Sequence, residues 1–182
     1  FSDIRGFTTL SEQLSPERLT ALTNHIFTEL TEVVHAHGGT LDKYIGDALM
    51  AFWGAPMATG SEAQQAFDCA EAMLRCLERI NAWCQEHGYP VVAMNLGLEA
   101  GEVTVGNLGS AQRRTYTAMG DAVNIAARLE ELAGLKNEPV LIGPALAGAL
   151  EGSRQLAPLG TANLKGVSKP IGLWKPGAIG ES

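Results

Sequence analysis

Thr40-Leu41-Asp42-Lys43-Tyr44-Ile45-Gly46-Asp47-Ala48-Leu49-Met50-Ala51-Phe52-Trp53 decides how this chain folds. Two apolar or β-prone runs, 40–45 and 48–53, flank Gly46-Asp47, a dipeptide suited to a tight turn. That pattern predicts a β-hairpin. On its left, Ser15-Pro16-Glu17 supplies an N-cap, a proline at the first helical position and an acid in the first turn. Leu19, Leu22, Ile26, Leu30, Val33 and Val34 then recur at helical spacing until Gly38-Gly39. On its right, 62–87 reads as a long amphipathic helix with Ala66, Ala70, Met73, Leu77, Ile80 and Trp83 along one side.

Outward from this centre, Phe1–Ile4 reads as the end of a strand cut on its left, and 8–13 as a short helix. Residues 91–99 and 102–106 predict strands joined around Ala100-Gly101, and 113–117 a further short strand. Helix follows over 121–133, ended by Gly134, then a strand at 139–142 and a small helix at 144–150. Closing strands fall at 155–159 and 171–174, with a loose tail from Lys175. The order argues α+β: a split βαβ, ferredoxin-like core with a mostly antiparallel sheet covered on one face by helices.

The chain of 182 residues is expected to be one domain. With 13 Lys and Arg against 20 Asp and Glu, its net charge is −7, which argues against nucleic-acid binding, since that needs a broad basic field. No run of roughly 18 apolar residues occurs. Cys69, Cys76 and Cys84 lie seven and eight apart in the long helix, about 10 Å along its axis, too far for a disulfide; reduced core thiols are expected. His25, His35, His37 and His87 show no triad or metal spacing.

Asp3 stands where a strand end meets Gly6 and a helix start, a place suited to a metal and a phosphate; capping by Asp3 and Thr8 fits this stretch equally well. If the hairpin pairs beside the first strand, Asp3 and Asp47 can converge, and two hard carboxylates suit Mg²⁺. Lys43 lies in an otherwise apolar or aromatic strand, either snorkelling at a sheet edge or donating to a buried acceptor such as a base nitrogen. Asn124 and Arg128 are four apart on one helix face, opposite a core stripe of Ala122, Ile125, Leu129 and Leu132. An Arg aligned with an Asn near a glycine-marked helix start suits a phosphate clamp, although an exposed helical Arg is normally only solvated.

Three blocks, 1–8, 38–48 and 117–128, resemble in order and spacing the class III adenylate/guanylate cyclase catalytic domain, most closely its bacterial branch. The resemblance implies an adenylate cyclase of signal transduction, making cyclic AMP and pyrophosphate from ATP by metal-assisted in-line attack of the ribose 3′-OH on the α-phosphate. It implies that Asp3, the Ile4 carbonyl and Asp47 bind two Mg²⁺ or Mn²⁺ ions per site. Gly6, Phe7 and Thr8 would hold the β- and γ-phosphates, Lys43 and Thr117 would read the purine, and Asn124 and Arg128 would orient the ribose and stabilise the transition state. It further implies a head-to-tail homodimer with two interface sites. One chain would supply the metal aspartates and the other the base-reading pair with Asn and Arg.

Guanylate cyclases of this family place Glu at the Lys43 position and usually Cys at the Thr117 position, so ATP is the expected substrate. The alternatives are a guanylate cyclase and a non-catalytic, nucleotide-binding regulatory domain. Two departures stand out: Val167 replaces the second Lys of a Lys-Gly-Lys stretch, leaving Lys165 (or Lys169) for the triphosphate, and Thr117 replaces the Asp of the animal enzymes. The expected setting is cytoplasmic, compatible with a membrane-anchored parent carrying an upstream regulatory or sensor domain.

Overall fold

A βαββαβ core leads the computed structural model, which describes residues 1–177. β1 (Ser2–Ile4) passes through α1 (Phe7–Gln13) and α2 (Pro16–Ala36) to the hairpin β2 (Thr40–Ile45) and β3 (Ala48–Phe52). Then come α3 (Glu62–Glu86) and β4 (Met94–Leu98), a ribbon of β5 (Thr104–Gly109) and β6 (Arg114–Met119), and α4 (Asp121–Lys136). β7 (Val140–Ile142), α5 (Pro144–Ala149), β8 (Leu156–Ala162) and β9 (Ile171–Pro176) complete the chain. Seven strands form one sheet in the order β2-β3-β1-β4-β7-β9-β8. β4 and β7 run parallel, and every other described pairing in the sheet is antiparallel. The α+β class and the split βαβ core are as expected.

Helix α2 starts where Ser15 caps it, its side chain accepting from the Arg18 N–H. Leu22, Ile26 and Leu30 then pack with Cys69, Met73, Cys76 and Ile80 of α3 over Ile4, Leu49, Met94 and Leu96 of the sheet. Each such large side chain contributes about 1.5–3 kcal/mol by leaving water. All three cysteines are buried and free, and burial pushes the Cys69 thiol up to about 12, as suits reduced core thiols.

Cover on one face only does not hold. β4 and β7 are central and buried on both faces, so the opposite face also needs a helix, and α4 supplies it, packing Leu129 and Ala133 against Leu141 and Leu173. The contact is close because Gly97 has no Cβ; one built there would stand 2.2 Å from the Ala126 carbonyl oxygen. Small Ala126 and Ala133 therefore face the strand, and Ile125 and Leu132 of the expected stripe are displaced to its flank. Gly134 does not end this helix. It lets Asn95 approach, and the helix runs on to Asn137, which adopts the left-handed conformation at φ 55°.

The strands on either side of Ala100-Gly101 are not partners. Both edges of β4 are taken by β1 and β7, so β5 leaves the sheet and pairs with β6 in a separate ribbon. Lys175 is not in a loose tail: it pairs with Ala157 in β9, and its ammonium lies 2.7 Å from Glu138. The rest of the expected tail, 178–182, lies outside the described residues. Although β1 is short, Phe1 already exchanges backbone hydrogen bonds with Gly97, at 3.0 and 2.9 Å.

Candidate active site

Pairing of Ser2 with Leu49 sets the hairpin beside β1. Alternation along β1 buries Ser2 and Ile4 toward α2 and α3 and turns Asp3 to the other face. There its carboxyl meets that of Asp47 from the hairpin turn, in hydrogen-bonding reach. Burial first, and Asp47 second, push the Asp3 carboxyl up to about 7. Its Oδ1 is buried and has no hydrogen-bond partner. Two converging hard carboxylates with an orphaned oxygen fit a divalent cation of the Mg²⁺ or Mn²⁺ type, which takes one or two carboxylates and draws its other ligands from phosphate and water. Among the described residues no cluster of three or more His, Cys, Asp or Glu offers another metal site.

The raised Asp3 value has a consequence for stability. Without divalent cations the folded chain keeps a proton up to about pH 7 that the unfolded chain releases near 3.8. That contribution is complete below the unfolded value and is lost as pH rises through the folded one. The metal-free chain should therefore lose thermal stability between about pH 4 and pH 7 relative to Asp3→Asn, whose side chain does not titrate. Parallel melting curves of the two chains would count against the Asp3–Asp47 contact.

Gly6, at φ 68°, precedes α1, and no side chain caps that helix, so its first N–H groups are open to an anion. Thr8 is exposed at this end, while Phe7 packs its ring against the core. Arg5, which the sequence pattern left without a role, braces this corner. Its guanidinium donates to Asn95 Oδ1, to Asn137 Oδ1 at 2.7 Å and to the Glu138 carbonyl at 2.9 Å. The loop after β1 is thus tied to the end of α4.

Lys43 sits on the edge strand β2 but does not merely reach into water. Its ammonium donates to the Thr117 hydroxyl at 3.0 Å, joining hairpin to ribbon. The residue that sequence reasoning missed is Asp42. Its side chain is fully buried, and its Oδ2 accepts from the Thr117 hydroxyl at 2.6 Å and from the Ala118 N–H at 3.1 Å. In a regular strand Asp42 and Lys43 would face opposite sides. The register shifts between Leu41 and Lys43, leaving Asp42 as the extra residue of a bulge, which re-aims it so that both reach Thr117. The available signal was two adjacent charges breaking the alternation of an otherwise apolar strand.

Asn124 and Arg128 lie on α4 away from their own chain's carboxylates. Glu130 is the α4 residue whose charge reaches Asp3, and burial pushes its carboxyl up to about 6. Arg128 and Asn124 are two and six residues earlier, roughly 200° and 240° around the helix. Asn124 is exposed, and Arg128 pairs with Glu131 at 3.1 Å. Lys165 is exposed on the loop after β8, whose Leu164 and Val167 pack beside α4; among the described residues it forms no ion pair with Asp3 or Asp47. A cavity of about 530 Å³ lies under the ribbon, and none of Asp3, Lys43, Asp47, Thr117, Asn124 or Arg128 lines it.

This arrangement, a ferredoxin-like sheet with paired carboxylates on its hairpin side and a Lys–Thr pair between hairpin and ribbon, is that of a nucleotidyl cyclase. Residues 1–174 match the adenylate and guanylate cyclase catalytic domain, and the chain belongs to that family. It is 38% identical over 175 residues to adenylate cyclase 1 of Rhizobium meliloti, covering 96% of this chain and 26% of that protein. It is 32% identical to an adenylate cyclase of Anabaena cylindrica, over 72% of this chain and again 26% of the other. The chain thus spans about a quarter of the length of these curated relatives.

Among solved structures, the adenylyl cyclase CyaB from P. aeruginosa superposes with a TM-score of 0.89 at 33% identity, covering 95% of this chain and 89% of that one. The guanylyl cyclase Cya2 superposes at 0.84 and 32% identity, covering 99% and 92%. Overall likeness therefore does not choose between the two substrates.

Proposed function

We propose that residues 1–182 form one catalytic domain of an adenylate cyclase, working as a homodimer with two equivalent sites. The observation that carries the substrate choice is the 3.0 Å contact between the Lys43 ammonium and the Thr117 hydroxyl. An ammonium only donates and suits adenine N1, while a hydroxyl can accept from the 6-amino group. Guanine presents the reverse pattern, and a mispaired polar edge in a closed site discriminates by on the order of 10⁴-fold. The names of the adenylate cyclase relatives support the same choice.

Asp3, the Ile4 carbonyl and Asp47 would hold two divalent ions, which when bound neutralise the triphosphate and make the ribose 3′-OH more acidic. Gly6, Phe7 and Thr8 offer N–H groups to the β- and γ-phosphates. The ribose 3′-OH gives up its proton to water as its oxygen bonds to the α-phosphorus and the bond to the bridging oxygen breaks, releasing pyrophosphate. Arg128 meets the charge that builds on the α-phosphate oxygens, and Asn124 orients the ribose. Exchanging Glu131 for the phosphate costs Arg128 little, since an exposed pair of this kind contributes about 0–1 kcal/mol. Lys165 is the remaining cation for the triphosphate. Because Asn124 and Arg128 face away from their own Asp3, they serve the carboxylates of a second copy. Ile45, Tyr116 and Met119, exposed on hairpin and ribbon, give that copy an apolar surface to cover.

Among the described residues no helix is long and apolar enough to cross a membrane. The cytoplasmic setting and an upstream regulatory segment belong to this proposal, supported by relatives that devote about three-quarters of their length to other parts.

The test is a product assay with ATP and GTP, each with Mg²⁺ and Mn²⁺, across protein concentrations. Cyclic AMP from ATP, rising faster than linearly with concentration, is expected; cyclic GMP formed as fast as cyclic AMP would overturn the substrate choice. Lys43→Glu with Thr117→Cys should move the preference toward GTP by at least about 100-fold. Retained ATP selectivity in that double variant would take base reading away from these two residues.

A further inference from the structure

Asp42 has no part in the mechanism above, yet it is a fully buried carboxylate bonded to one of the two base-reading residues. We infer that Asp42 is the positioning residue for substrate choice: by accepting the hydrogen bond of the Thr117 hydroxyl it fixes Thr117 as an acceptor toward the substrate and so makes the site read a 6-amino purine over a 6-oxo purine. This rests on the adenylate cyclase reading and deepens it.

A hydroxyl alone is an ambiguous reader. It carries one proton and two lone pairs, and its proton rotates to suit the ligand. A free Thr117 could accept from the adenine 6-amino group or donate to guanine O6 with equal ease. The geometry removes that freedom. The proton of Thr117 points at Asp42 Oδ2 over 2.6 Å, in the range of a charge-assisted bond. The Ala118 N–H holds the same oxygen at 3.1 Å, so the carboxylate cannot turn away. One lone pair of Thr117 takes the Lys43 ammonium at 3.0 Å, and the other remains for the substrate. Thr117 itself is only 7% exposed, so water is a poor substitute partner.

Asp42 also stands 3.2 Å from Lys43 through its other oxygen, Oδ1, without hydrogen-bond geometry. The ammonium is thus held by charge at the place where its protons serve Thr117 and the base. A guanine in the same pose meets an acceptor opposite O6 and a donor opposite N1–H. Without Asp42 the first of these mismatches disappears, because the hydroxyl can turn and donate.

The test compares kcat/KM for ATP and for GTP in the parent domain, Asp42→Ala and Asp42→Asn. In Asp42→Ala the ATP-to-GTP ratio should fall by at least about tenfold, the share expected from relieving one of two polar mismatches. Asp42→Asn should keep the ratio within about threefold, because its amide oxygen can still accept from both Thr117 and Ala118. A merely structural role would lower both substrates together and leave the ratio alone. An active Asp42→Ala that keeps the parent ratio overturns this inference and leaves the adenylate cyclase reading standing; a parent domain with no preference for ATP overturns both. Should Asp42→Ala fail to fold, proton NMR of the parent decides. The Thr117 hydroxyl should give a slowly exchanging resonance that Thr117→Val deletes, and the absence of such a resonance overturns the inference.

Discussion

Asp47→Ala should abolish cyclic AMP formation, by at least about a thousandfold, while leaving the fold intact. The residue lies in the Gly46-Asp47 turn, outside the packed core, and no described side chain depends on it for a hydrogen bond except Asp3. The effect on stability should even carry the opposite sign from the effect on activity. Asp47 is one of the groups that hold the Asp3 carboxyl near 7, so removing it relieves a like-charge contact. The metal-free variant should then melt at or above the parent temperature at about pH 8, where the parent holds both charges. Cation-induced stabilisation should shrink along with activity, since one of two carboxylate ligands is gone. Turnover equal to the parent's would sink the metal assignment.

Mixing Asp3→Ala and Arg128→Ala chains, each inactive alone, should restore about a quarter of parent activity. In a two-fold symmetric dimer that re-pairs at random, half of the dimers are mixed, and each mixed dimer carries one intact site of two. The two mutations must damage different halves of a site for this to work. The helix geometry supports that: Arg128 lies roughly 200° around α4 from Glu130, the residue that reaches Asp3. Neither change removes a core side chain, so loss of folding does not explain the single variants. No rescue at concentrations that support parent activity would count against the shared site.

The hairpin and the two long helices beside it were legible because their signals are local. Ser15-Pro16-Glu17 starts a helix wherever it stands, and Gly46-Asp47 turns a chain between two β-prone runs. The edges were less legible. The strands joined around Ala100-Gly101 do not pair with each other, because β4 already has two partners, one of them 44 residues downstream at Leu96 and Val140. Gly134 reads as a helix stop in isolation, yet it serves close approach to Asn95. For the site, Asp3, Lys43, Asp47, Asn124 and Arg128 could each be nominated from residue type and setting, and Thr117 from the resemblance to the cyclase family. Asp42 could not, since its importance comes from a bulge, and a bulge is a property of two strands rather than of one.

The hairpin at 40–53 marks the division. By itself the sequence determined that 40–53 turns back between two helices, that Asp47 sits at its tip and that Lys43 interrupts an apolar strand, because turn chemistry and side-chain period act over a few residues. Only the tertiary structure decided that β2 is an edge strand, that the bulge at Asp42 puts adjacent residues on one side, and that both meet Thr117 some 75 residues on. Long-range register is set by what the strands bury against one another, and in this chain that register places the carboxylate beside the base-reading pair.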